Sequence, residues 1–431
     1  MKSNLNTKNV YSFALALFFL VLLISTVLIV ANFGSSPTES VVEARQTVAL
    51  KPAESPNLKR AMDLIRDGKY FEGAEIILNL YTSASFVNKF ETTISDQFPF
   101  RLKIIQFSKA LERFTIKLAY GFTNDSIIPA DMTREIYFDS NHNQLIYRPH
   151  DFNETTQSLI NARIKNYEEL INENPDINFH LYYYETLRNS KYHQLNSIFP
   201  EADKSQSIEY FENQLPEGLY ISKFMLNGME DHLNYYYRTD HHWNIYGVLH
   251  AYEEIYNLLS INYKEISPML NVEEIASFPG IEFSGSLARL TLYPIVGDEF
   301  MVEVVNFPPF EMTKSGQELT EHPRDKYFEG RYSTIPYTNH FNEFYGKVTD
   351  IIEYKFENKS DRNLLIIGSS FRNALDPLLG AHYHKTYGVD LRYYTDFSLS
   401  EFLEEHKVDD ILILGDDEVA FEDLEYWKIN P

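Results

Sequence analysis

Apolar residues run almost unbroken from about Val10 to Phe33, interrupted by Ser12, Ser25, Thr26 and, near the end, Asn32. With Lys2 and Lys8 ahead of it, the run is long enough to cross a bilayer as a helix. It also exceeds the apolar part of an ordinary cleaved signal peptide. The expectation is an uncleaved anchor at 10–33. Residues 1–9 would be cytoplasmic by the positive-inside bias, and the rest extracytoplasmic. No cysteine follows the run, which excludes a lipoprotein. Residues 34–57 carry Ser, Pro, Glu and Thr without sustained periodicity and read as a flexible tether. A helical flank is expected over 58–130. Its second helix follows Pro99, where Ile104, Phe107, Leu111, Phe114 and Leu118 recur at spacings of three and four and so share a face.

From residue 131 onward the pattern alternates between strand and helix. Ile136–Phe138 and Gln144–Tyr147 flank the turn-prone Ser140-Asn141-His142-Asn143 and predict a hairpin. A polar helix is expected over Glu154–Asn172, followed by buried strands at Ile177–Tyr184 and Leu219–Phe224. Ile245, Val248, Leu249, Tyr252, Ile255 and Leu259 form a stripe at helical spacing. The proline-rich stretch 260–354 is expected to be an insertion of strands and loops. Beyond it, Leu364–Ile367, Arg372–Leu379, Val389–Tyr394, Ser400–His406 and Asp410–Leu414 read as β-α-β-α-β. Strands separated by helices predict an α/β domain over 131–431 with a mainly parallel, layered sheet.

Composition narrows the functions open to such a domain. A net charge of −24 over 431 residues, with no basic stripe, argues against nucleic acid as a partner. The absence of cysteine removes disulfides, thiolate metal sites and cysteine nucleophiles. The 31 Phe and 31 Tyr suffice for a core and leave aromatic faces available for stacking on sugars.

Two short stretches carry candidate chemistry. Asp240 and His242 lie two residues apart in the loop leading to the Ile245 helix, a spacing that lets a carboxylate orient an imidazole. Gly368-Ser369-Ser370 ends an apolar run and opens a helix, as a nucleophile elbow does. Backbone N–H groups at that place can stabilise an oxyanion. A serine hydroxyl needs a base to become nucleophilic, and Asp240 with His242 would supply it. By spacing alone, Ser369 or Ser370 suits a helix cap equally well, as does Asp240, and His242 suits a half-buried structural role. A metal reading would draw on Asp240, His241, His242 and His250. The histidines lack an HExxH spacing, so no metal is expected.

Asp240-His241-His242-Trp243 resembles the signature of the DHHW family of bacterial proteins, which is similar to the alginate O-acetyltransferase-like group of SGNH hydrolases. Phe98-Pro99-Phe100-Arg101, Phe283-Ser284-Gly285-Ser286-Leu287, Gly368-Ser369-Ser370-Phe371-x-Asn373 and Val389-Asp390-Leu391-Arg392-Tyr393 resemble further blocks, so the likeness runs from about Phe86 to the end. Related sequences often read Gly-Asp-Ser where this chain has Gly368-Ser369-Ser370. The resemblance implies an SGNH-like, flavodoxin-like three-layer α/β/α sandwich. It implies Ser370 as nucleophile, His242 as general base and Asp240 as its orienting acid. Asn373, the Ser370 N–H and Gly285 become oxyanion candidates, and His241 and Trp243 supporting residues; Arg289 and Arg392 are open to substrate contact, with surface or structural ion pairs the favoured alternative for both. No cofactor is implied. The function implied is O-acetyl transfer to an exported or cell-surface polysaccharide through an acetyl-serine, with acetyl groups supplied by a membrane-bound O-acyltransferase partner. Two alternatives stay open: an acetyl esterase using the same residues, and a non-catalytic carbohydrate-binding subunit of an envelope polysaccharide assembly.

Overall fold

The structure, a computed structural model, describes residues 101–120, 125–149, 154–196, 199, 205–294, 298–347, 349–421, 424 and 427–430. The expected anchor at 10–33, the tether at 34–57 and the first part of the helical flank lie outside them. No helix among the described residues is long and apolar enough to cross a membrane. The chain divides into two compact units, 1–111 and 112–431, and the account below concerns the second.

Helix α1 (Arg101–Tyr120) forms where the apolar period placed it. Its apolar stripe is nonetheless exposed at Phe107, Leu111, Phe114 and Leu118. In the second unit its anchor is polar instead: the Arg113 guanidinium donates to the Leu292 carbonyl at 2.9 Å. A three-stranded antiparallel sheet follows, β1 (Ile127–Pro129), β2 (Ile136–Asp139) and β3 (Gln144–Tyr147), which contains the expected hairpin.

Next come α2 (Glu154–Glu173), β4 (Asn178–Tyr184), α3 (Ser205–Glu212), β5 (Leu219–Phe224), α4 (Met229–Tyr235) and α5 (Ile245–Leu259). The region after α5 holds a separate two-stranded pair, β6 (Val272–Ser277) and β7 (Met301–Val305), with α6 (Ser286–Thr291) between them. It continues through β8 (Phe310–Lys314), β9 (Gln317–Glu318), α7 (Pro323–Phe328) and α8 (His340–Tyr345) to β10 (Ile351–Phe356). The chain ends with β11 (Asn363–Gly368), α9 (Asp376–Gly380), β12 (Lys385–Val389), α10 (Leu399–Glu405) and β13 (Asp410–Gly415).

Eight strands form the main sheet in the order β5-β4-β13-β11-β12-β10-β8-β9. The first five are parallel and the last three antiparallel extensions, so part of the proline-rich stretch is built into the sheet. A strand buried on both faces reads as a continuous apolar run. In β11, Leu364 and Ile366 join the core beneath α5, whereas Leu365 and Ile367 join the core beneath α2 and α10. Helices on both faces of the sheet make the three-layer α/β/α arrangement.

Two boundaries differ from the sequence reading. The strand expected at Val389–Tyr394 lies earlier, at Lys385–Val389, and shares only Val389 with that expectation, because Asp390 turns the chain: its carbonyl accepts the N–H groups of Tyr393 and Tyr394 and its carboxylate that of Arg392. The helix expected at Arg372–Leu379 is a 3-10 turn over Ser370–Ala374 followed by α9, whose start is suited to Pro377.

Candidate active site

Ser370 and the Asp240-His242 pair are brought together at the C-terminal ends of the parallel strands, where open α/β sheets place their ligands. His242 Nε2 lies 2.7 Å from Ser370 Oγ, and His242 Nδ1 lies 2.8 Å from Asp240 Oδ1. An ionised carboxylate only accepts hydrogen bonds, so Nδ1 carries the proton and the Nε2 lone pair faces the serine hydroxyl. Asp240 and Ser370 are not caps: α5 is capped by Asn244, whose side chain accepts from Tyr246 and Gly247 N–H, and Ser370 is inside its turn, whose N-cap is Ser369 without a side-chain cap hydrogen bond.

The 239–243 loop is held by local and distant contacts. Tyr236 and Trp243 form an antiparallel bridge, and Tyr237 N–H donates to the His242 carbonyl at 3.1 Å. The Asp298 carboxylate accepts the N–H groups of Arg238 and Thr239 at 2.9 and 2.7 Å. The start of α6 closes over Asp240: Ser286 N–H reaches Oδ2 at 2.9 Å and Ser286 Oγ reaches Oδ1 at 2.8 Å. Asp240 thus has donors on both oxygens. Around the imidazole, Phe341 of α8 stacks at 4.3 Å between ring centres, Phe371 lies at 4.7 Å, and Trp243 packs edge-on against Phe371.

These surroundings set the protonation states. Burial resists ionisation of Asp240, but the adjoining His242 and His241, with their hydrogen bonds, hold its carboxyl well below the usual range. Burial pushes His242 down to about 4, helped by His241 and opposed by Asp240. At neutral pH the pair is therefore carboxylate and neutral imidazole, the state that accepts a serine proton.

The other expected residues are placed as follows. His241 is partly exposed, its Nδ1 2.8 Å from Ser286 Oγ, and Trp243 is buried. Gly285 N–H donates to Thr239 Oγ1 at 3.1 Å, and Asn373 Nδ2 reaches the Gly346 carbonyl at 3.4 Å. Arg392 is forked onto Asp390 at 2.9 and 2.7 Å, and Arg289 donates to the Ser284 carbonyl at 2.7 Å. Asp298 and Phe341 carry no motif, and nothing in their own neighbourhoods marked them. Ser286 stood inside a recognised block without an assigned role. Asp240, His241 and His242 offer ligand atoms within 4.8 Å of one another. A metal ion on both histidines and Asp240 would compete with the hydrogen bonds that join Asp240, His242 and Ser370.

Comparison with known proteins agrees with this fold. PatB1 of Bacillus cereus superposes with a TM-score of 0.53 at 18% identity, covering 66% of this chain and 97% of that one. Its structure with a sulfonyl adduct gives 0.52 at 16% identity, covering 68% and 97%. A DHHW family protein from Eubacterium siraeum gives 0.50 at 15% identity, covering 71% and 96%. No family model matches the chain, and no curated protein matches it in sequence. The resemblance first read from Asp240-His241-His242-Trp243 thus has a counterpart in the fold: a DHHW family protein is among the similar structures.

Proposed function

We propose that this chain is a serine acyltransferase of the SGNH type, anchored through residues 10–33 with its α/β domain extracytoplasmic, that moves acetyl groups onto a polysaccharide. The observation that carries the reading is the continuous relay from Asp240 through His242 to Ser370, with hydrogen bonds of 2.8 and 2.7 Å. In the first half-reaction Ser370 Oγ attacks the acetyl carbonyl carbon while His242 Nε2 takes the serine proton. The tetrahedral oxyanion collapses, the donor's oxygen leaves with the proton from His242, and an acetyl ester remains on Ser370. In the second, a sugar hydroxyl attacks that ester, gives its proton to His242, and Ser370 recovers it. Candidates for steadying the oxyanion are the Ser370 N–H and Asn373. The donor partner would be a membrane-bound O-acyltransferase.

The test uses the full chain in detergent with an aryl acetate and mass spectrometry of the Ser370 peptide. An acetyl mark on Ser370, lost in Ser370→Ala and His242→Ala, is expected. Equal behaviour of wild type and both variants sinks the catalytic reading and leaves carbohydrate binding. Glycan added to the acetylated enzyme separates transfer from hydrolysis, since an esterase releases acetate alone.

A further inference from the structure

Among the described residues, every large apolar side chain that is more than half exposed, except Tyr393, sits on α1 or beside a residue that holds α1 in place. Phe107 is 71% exposed, and Leu111, Phe114 and Leu118 are 56 to 58% exposed. They share one face of a continuous helix, over a rise of about 16 Å at 1.5 Å per residue. The opposite face is fixed in the second unit. Ile116 is buried there, the Arg113 guanidinium donates to the Leu292 carbonyl at 2.9 Å and lies over the Tyr293 ring, and the Glu112 carboxylate accepts the Met132 N–H. Ile116 is two residues from both Phe114 and Leu118, a spacing that puts side chains on different sides of a helix. Burying Ile116 therefore turns the apolar stripe outward.

Charge decides what covers that stripe. The sequence of α1 carries Arg101, Lys103, Lys109, Arg113 and Lys117 against Glu112 alone, in a chain whose net charge is −24. Lys117, one position before Leu118, is exposed at the border of the stripe. A basic helix with an apolar face outward fits a surface that is negatively charged above and apolar below, which an anionic lipid bilayer presents. A second copy of the helix would set like charges against each other. The acid excess lies elsewhere in the chain, and a Debye length of about 8 Å in physiological salt lets headgroups touching α1 outweigh carboxylates farther off. With 20 residues but six charges, α1 is too polar to cross the bilayer. Lying flat, a helix of this kind sinks its apolar face by about 5 to 10 Å.

We propose that α1 lies along the surface of an anionic bilayer, with Phe107, Leu111, Phe114 and Leu118 among the acyl chains and Lys117 at the headgroups. The anchor proposed at 10–33 supplies proximity only, and the test separates the two. Because the chain has no cysteine, Phe114→Cys, Leu118→Cys and, as an exposed control, Gln317→Cys each take a single nitroxide label. The full chain, reconstituted in vesicles of phosphatidylglycerol and phosphatidylcholine, is read by electron paramagnetic resonance against oxygen, which concentrates in lipid, and a nickel chelate, which stays in water. Labels at 114 and 118 should collide with oxygen and be shielded from nickel, and the label at 317 should do the reverse. Vesicles of phosphatidylcholine alone should return the label at 114 toward nickel. Lys117→Gln should lower the ratio of docked to undocked helix by about fivefold, the weight of one basic residue near an anionic surface. The melting temperature of each variant reports whether it has folded. A label at 114 that is open to nickel in the anionic vesicles overturns the proposal. So does one shielded from both reagents in vesicles and detergent alike, which means that protein covers the stripe. Alkaline carbonate strips a surface-bound chain and leaves an anchored one. If carbonate strips a chain that has shown the oxygen signature, the anchor falls and the docking of α1 stands.

Discussion

At the scale of single residues, the protonation of His242, the base of the proposed reaction, is set by burial more than by its carboxylate partner. Its neutral form accepts the Ser370 proton. Because its pKa is pushed down to about 4, that form is present above about pH 4 and lost as the pH falls through it. Acetylation of Ser370 in single turnover should therefore stay level from pH 7 to pH 5 and fall to half near pH 4. An acid limb near 6.5, the ordinary histidine value, contradicts this account. Asp240→Asn keeps the shape but lets the imidazole adopt the wrong tautomer, and should slow acetylation by about 10³ to 10⁴. Ser286→Ala removes one of the donors on Asp240 and should cost about tenfold. Measuring both variants in one burst assay ranks the contacts on the relay.

At the scale of elements, the site depends on the close approach of α6 to the 239–243 loop. Gly285, at the N-cap of α6, has ordinary backbone angles; what demands glycine is space, since a Cβ there would collide with the Thr239 backbone and the Asp240 side chain. Gly285→Ala should push α6 away from Asp240, lower the melting temperature, and slow acetylation on the order of 10²-fold, as displacement of about an ångström does. Equal rates would mean that α6 does not position the carboxylate. In the proposed reaction the middle block would thus act through Asp240, without its residues touching the reacting atoms.

Across the whole molecule, six histidines of the described fold have pKa values pushed down mainly by burial: His193, His242, His340 and His382 to about 4 and His232 and His322 to about 3. Unfolded, each would titrate near 6.5, so below that pH the unfolded chain binds more protons and stability falls with acid. Each can contribute up to about 1.4 kcal/mol per pH unit between its unfolded and folded pKa. Asp298, raised by burial, Asp376, raised to about 6, and Glu418, raised to about 8, act the other way, because the folded state holds their protons more tightly. With six histidines against three carboxyls, the urea midpoint should drop steadily from pH 6.5 to pH 4. A flat or rising midpoint over that range contradicts the burial of these rings.

The sequence by itself determined the local periods: the apolar runs of β4, β11 and β13, the stripe of α5, and the reagents Asp240, His242 and Ser370; β5, expected to be buried, is instead the edge strand with Tyr220 and Ile221 exposed. These were legible because burial repeats along a strand or helix at a fixed spacing, and because short motifs place reactive groups at strand ends. Tertiary structure decided what spacing does not encode. It set the strand order, built part of 260–354 into the sheet, and ended β12 at Val389. It also laid Phe341 on His242, set Asp298 under Thr239 and closed Ser286 over Asp240. Those partners are distant in sequence, and their choice follows from packing the layers rather than from any repeat in the chain. The same packing decided the chemistry of Asp240-His241-His242-Trp243, by burying one histidine against Ser370 and leaving its neighbour partly in water.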